Sequence, residues 1–194
     1  MKPLSGNWQQ VKEIGFISYI CGYCGDKTGV RIGYSNDSQG HSIFLCGGCN
    51  RPTFFEERGD QTPAPILGNN VDHLPPEVHL LYREARKCTQ VEGYTACVLT
   101  CRKILMHIAV EKNAPKNQSF MQYVEYLGAT GYIPPDGKGW VDHIRKRGNE
   151  ANHEIKIMSK DEAFELLSFV EMLLKFVYEF PARIMPETED LTPS

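Results

Sequence analysis

No run of eighteen apolar residues occurs in the 194-residue sequence, so no segment reads as a membrane span. The opening MKPLSGNWQQ lacks the apolar core of a signal peptide. Together these absences predict a cytoplasmic protein with no membrane partner. An excess of basic charge is also missing: 21 Lys and Arg stand against 24 Asp and Glu, a net charge of −3. Holding nucleic acid by bulk charge is excluded, although a local basic face is not. No Walker-type phosphate loop, Rossmann glycine fingerprint or H-E-x-x-H helix is present, which removes the commonest nucleotide-site and metalloprotease signatures. There is no internal repeat or low-complexity tract. Hydrophobic content of 41% and charged content of 23% are ordinary for a globular chain, so wholesale disorder is excluded too.

Cysteine is what the sequence has in quantity. Four of its seven cysteines form two C-x2-C pairs, Cys21/Cys24 and Cys46/Cys49, separated by twenty-one residues. In a reducing compartment such pairs point to metal before disulfides. Each pair lets two thiolates approach one ion from a tight knuckle, and Gly22 and Gly47 suit the turn. Four thiolates leave no open coordination position, so the expected cofactor is a structural zinc held by Cys21, Cys24, Cys46 and Cys49. A rubredoxin-like iron uses the same ligands, and a redox pair is the blander alternative. Cys88, Cys97 and Cys101 fall within helical patterns and read as small core hydrophobes.

The periodicity divides the chain. Residues 1–57 read as a small β module with strands at 30–34, 42–45 and 52–55 and turn chemistry at 35–40. Residues 58–73 are rich in Gly, Pro and Asn and read as a linker. From 74 to 180 the period is helical. Patterns cover roughly 76–90, Tyr94 to Ile108, Phe120 to Leu127, and Val141 to Ala151. A final helix is capped at Ser159 and ends at Pro181. Residues 181–194 form an acidic tail. The expected fold class is therefore mainly α, a helical bundle preceded by a small β zinc-ribbon module.

The second chemical signal is Ile144-Arg145-Lys146-Arg147-Gly148-Asn149-Glu150-Ala151-Asn152-His153. On a helix Arg145, Asn149 and His153 share one face, and Arg147 lies some way round from His153. Residues 138–160 carry six Lys and Arg against three Asp and Glu, so the segment is locally basic. A histidine titrates near neutrality and an arginine neutralises phosphate bidentately. Together they suit work on an RNA phosphodiester, with His153 taking the 2′-OH proton and arginine stabilising the charged phosphorus centre. The competing reading makes the arginines a solvated face and His153 a satisfied buried histidine.

These residues also carry a resemblance. Leu74-Pro75, Tyr82-Arg83-Glu84-Ala85, Ala96, Cys101-Arg102-Lys103-Ile104-Leu105, Ile144-Arg145, Gly148-Asn149, His153 and Ser159 occur in an order that resembles the prokaryotic family named domain of unknown function 4145. That helical family is related to the HEPN superfamily, and the resemblance covers about residues 74–178. It implies an antiparallel helical bundle, often a homodimer. It also implies RNA as a target and a regulatory or antitoxin partner in stress or phage defence. Active HEPN members are metal-independent ribonucleases with an R-x4–6-H motif. Arg147 and His153 satisfy that spacing, Asn149 fits the polar position, and Arg145 is the alternative arginine. Gly148 departs from the motif, standing where R-N-x-x-x-H has its arginine. A non-catalytic dimeric interaction module is the rival reading, and a DNA-binding regulator ranks last.

Overall fold

A computed structural model of the chain describes residues 2–36, 38–134, 139 and 157–184. The chain forms two compact units, Met1–Leu67 with Lys87–Gly93, and Gly68–Arg86 with Tyr94–Ser194.

The first unit is a five-stranded antiparallel sheet in sequential order. Its strands are β1 (Lys12–Ile20), β2 (Lys27–Asn36), β3 (His41–Leu45), β4 (Pro52–Phe55) and β5 (Gln61–Thr62). The expectation of a mainly α chain is corrected by this sheet, which runs from Lys12 to Thr62 and makes the chain mixed α and β. β1 escapes a periodic reading because it is bulged. Glu13 pairs with Ile32 but Ile17 with Val30, so β1 spends two more residues than its partner over that interval. Gly15, at φ +109°, lies inside the irregularity. The short β5 falls in the Gly- and Pro-rich stretch 58–73 and pairs with β4 through Phe54 and Phe55. Tyr19, Val30, Phe44 and Phe55 pack with three cysteines into a small core. The Tyr19 and Phe55 rings meet edge to face at 5.0 Å.

The second unit is helical. Its elements are α1 (Pro76–Cys88, whose last two residues belong to the first unit), α2 (Tyr94–Glu111), α3 (Phe120–Ala129), α4 (Lys160–Leu174) and a short α5 (Phe180–Ile184). A 3-10 turn over Thr89–Val91 follows α1. Ser119 and Ser159 each close a capping box, with Gln122 and Glu162 respectively. The core is fully buried Ile104, Leu105, Ile108, Leu127, Phe169 and Leu173, among others. Cys97 and Cys101 are wholly buried among these helices, and Cys88, at the end of α1, is half-buried. The last helix does not end at Pro181. A π turn over Lys175–Glu179 links α4 to α5, and the Phe180 N–H donates to the Lys175 carbonyl. Pro181 has no N–H and would crowd an α-helical carbonyl four residues earlier, which the wider π turn accommodates. Among the described residues no helix is long and apolar enough to cross a membrane.

Candidate metal centre

The two C-x2-C segments fold as near-repeats. Each returns its chain by a bond from the residue after the second cysteine to the first cysteine's carbonyl: Gly25 N–H to Cys21 and Asn50 N–H to Cys46, both 2.8 Å. Each is then closed by a bond back to the first cysteine's own N–H, from Cys21 to the Asp26 carbonyl at 2.9 Å and from Cys46 to the Arg51 carbonyl at 3.0 Å. Gly25 and Asn50 take the left-handed backbone, at φ +81° and +57°. The required left-handed position thus follows the second cysteine of each pair. Gly22 serves differently: a Cβ there would lie 2.5 Å from the Pro63 carbonyl oxygen and 2.6 Å from that of Ala64.

The knuckles bring Cys21, Cys24, Cys46 and Cys49 together, with all four sulfurs within 4.8 Å of one another. Cys21 Sγ lies 3.7 Å from Cys49 Sγ, and Cys24 Sγ 3.7 Å from Cys46 Sγ. Disulfide bonding needs about 2.05 Å. Four sulfurs tetrahedrally placed about 2.3 Å from one ion are about 3.8 Å apart. The observed spacing therefore fits a tetrahedral four-sulfur metal site. Cys21, Cys46 and Cys49 are buried, so an uncompensated thiolate cluster here would be costly and a dication would offset it. Burial works to raise the Cys46 thiol, but backbone N–H groups of Cys49 and Gly48, with Cys21 and Cys24 alongside, bring it below the ordinary value. The same burial pushes the Cys24 thiol well up. Tyr19, buried beside the cluster, is pushed up to about 12 by burial; the Thr53 hydroxyl opposes this and Cys46, Cys21 and Cys49 add to it. Among the described residues this is the only grouping of three or more metal-ligating side chains.

The knuckles are braced from residues whose role was not legible. Gln90, in the 3-10 turn, donates through Nε2 to the Gly22 carbonyl and, at 3.1 Å, to that of Ala64. Leu4 N–H donates to the Cys49 carbonyl at 3.0 Å, and Trp8 Nε1 to the Asn50 carbonyl at 3.0 Å. Replacing Gly22 by Ala forces its new methyl into the Pro63 carbonyl and is expected to cost about 1–3 kcal/mol. Thermal unfolding of the metal-loaded variant checks this, and a midpoint equal to that of the wild type would disprove the close approach.

The helical candidates stand apart from this centre in sequence. Arg145, Arg147, Asn149 and His153 lie outside the described residues, as does the helical pattern from Val141 to Ala151. Within the second unit the unforeseen polar feature is a buried carboxylate, Glu171. It accepts from the Asn69 N–H at 2.7 Å, from Asn69 Nδ2 at 3.0 Å and from Lys175 Nζ at 2.5 Å. Tyr82 OH donates to the Asn69 carbonyl at 2.9 Å and lies 3.4 Å from Glu171 Oε2. Its sequence signal is a glutamate within the apolar run Phe169-Val170-Glu171-Met172-Leu173-Leu174, at a core-facing helical position that demands a partner.

A family model described as Domain of unknown function (DUF4145) matches residues 83–191, more than half of the chain. No curated protein and no solved structure gave a significant match.

Proposed function

We infer, from the premise that this chain belongs to the family Domain of unknown function (DUF4145), that it is a HEPN-like protein directed at RNA. In this reading the helical part carries a metal-independent ribonuclease site. The four-cysteine centre is a zinc ribbon that holds structure and performs no chemistry. Four thiolate ligands support the structural role, since a catalytic zinc keeps a position open for water or substrate. Zinc is preferred to iron because it has no redox chemistry, which suits a centre whose proposed role is structural alone.

The observation that carries the proposal is where the basic Arg-Asn-His segment falls. Arg145, Arg147, Asn149 and His153 all lie inside the matched stretch 83–191. In the proposed reaction His153 takes the proton of an RNA 2′-hydroxyl, and that oxygen attacks the neighbouring phosphorus. The bond to the 5′-oxygen breaks and the departing oxygen takes up a proton from water, His153 later releasing its own to solvent, which leaves 2′,3′-cyclic phosphate and 5′-hydroxyl ends. Arg147 neutralises charge building on the phosphoryl oxygens, while Asn149 and Arg145 orient the phosphate. A homodimer brings two such segments together, and a regulatory or antitoxin partner restrains the activity in stress or phage defence.

The test is cleavage of total RNA by metal-loaded protein in a buffer free of added divalent ions. Wild type is expected to leave cyclic phosphate ends, and His153→Ala to lose about 10²–10⁴-fold in rate with its helical circular dichroism unchanged. Equal cleavage by the variant would sink the assignment. A second reading has its own observation. Gly148 occupies the place where R-N-x-x-x-H has arginine, which favours a non-catalytic dimeric interaction module. In that case RNA or a protein partner is retained without cleavage.

A further inference from the structure

Among the described residues, the last helical stretch leaves a narrow apolar seam uncovered. Phe164, Phe176 and Phe180 are exposed by 48%, 45% and 38%, high values for phenylalanine beside a closely packed core. With half-buried Ser168 and Met172 they recur every fourth residue and border one open cleft of about 450 Å³, whose polar edge includes Lys175. In an unbroken α-helix residues four apart drift by about 40° per step, which would spread the seam round the helix. The π turn over Lys175–Glu179 takes back part of that drift. It sets the Phe176 and Phe180 rings edge to face at 5.4 Å beside the same cleft as Phe164.

The seam is its own complement. Met172 is its midpoint: Ser168 and Phe176 lie four residues either side, Phe164 and Phe180 eight, and Asp161 and Arg183 eleven. A two-fold axis through Met172, with the helices antiparallel, sets the large Phe176 of one copy against the small Ser168 of the other. It sets Phe164 against Phe180. It also sets exposed Asp161, in the first turn of one helix, near Arg183 at the far end of the other, where opposite charges and opposed helix dipoles both favour the pairing. Arg183 already pairs with Glu179 at 2.5 Å yet keeps 58% of its side chain exposed.

We propose that this seam, Phe164-Ser168-Met172-Phe176-Phe180, is the face through which two copies of the chain associate about a two-fold axis at Met172. The inference rests on the homodimer reading above and assigns it a surface.

Sedimentation equilibrium of the full metal-loaded chain tests it. The wild type is expected to dimerise, and Phe176→Asp to weaken the dimer about a hundredfold with helical circular dichroism unchanged. Met172→Cys, on the axis, is expected to give a covalent dimer on mild oxidation with diamide. Leu99→Cys, at an exposed position on α2, is expected to give none beyond the wild-type background. If Phe176→Asp does not fold, the crosslinking pair decides alone. A wild-type dimer that ignores Phe176→Asp and shows no preferential Met172→Cys crosslink overturns the face while leaving the homodimer standing. A wild type that stays monomeric over a wide concentration range overturns both.

Discussion

Removing the metal from the four-cysteine centre is expected to unfold the sheet unit. The buried cluster around the knuckles comprises Tyr19, Cys21, Val30, Phe44, Cys46, Cys49 and Phe55, so three of its seven members are themselves ligands. Apolar burial of four side chains yields about 6–12 kcal/mol, far less than the backbone entropy of ordering five strands. Structural zinc sites supply about 10–16 kcal/mol of apparent binding energy, enough to decide whether so small a module folds. Elemental analysis should give one ion per chain. A chelator strong enough to strip it should abolish the near-ultraviolet circular dichroism of Tyr19 and open β1 and β2 to protease, and returning the ion should restore both. Cys46→Ser is expected to behave as the stripped protein does, because a neutral hydroxyl is a far weaker donor than a thiolate and leaves the tetrahedral set one ligand short. A metal-free chain that keeps its sheet signals intact would show that the four thiols are packing residues only.

How much of this was readable in the sequence depends on the range over which the information acts. The C-x2-C knuckles are local, and two of them at a hairpin's separation identified all four ligands. Capping boxes at Ser119 and Ser159 are equally local. β1 is illegible because the bulge around Gly15 breaks the period-two signal that marks a strand, so the expected β module had three strands where the sheet has five. The left-handed positions are Gly25 and Asn50, and since one of them is not glycine, residue type alone does not mark where each knuckle turns. Gln90 gives no sign in sequence that it reaches Gly22, sixty-eight residues away. Pro181 reads as a stop unless a π turn is admitted. The Arg145, Arg147, Asn149 and His153 cluster is the reverse case, explicit in sequence and outside the described residues. The role proposed for them above draws on residue type, spacing and position within the matched stretch 83–191.

Replacing Glu171 should damage the helical unit as much as truncating a core side chain, and its effect should depend on pH. The carboxylate is buried on α4, with its side chain 12% exposed, and holds the segment at Asn69 through two hydrogen bonds while pairing with Lys175 at 2.5 Å. Eight residues on, Glu179 repeats the arrangement, accepting from the Asp72 N–H at 3.1 Å and pairing with Arg183. The two acids thus tie residues 69–72 to the last helical stretch from one side. Glu171→Ala strands the Asn69 N–H and a partly buried lysine, and is expected to cost about 3–5 kcal/mol. Burial alone would raise the Glu171 carboxyl, but Lys175 and the two Asn69 donors outweigh it and hold the group below its ordinary value. The anion is therefore favoured in the folded state. Its contribution is complete above the ordinary carboxylate range and drains away as pH falls through that range toward the depressed folded-state value. Urea unfolding followed by helical circular dichroism should show wild-type stability falling on the acid side. Glu171→Gln, which keeps an acceptor for Asn69 but cannot ionise, should start less stable and fall less steeply. If the two acid limbs run parallel, the charge on Glu171 is not what secures Asn69, and the carboxylate acts there as a neutral acceptor would.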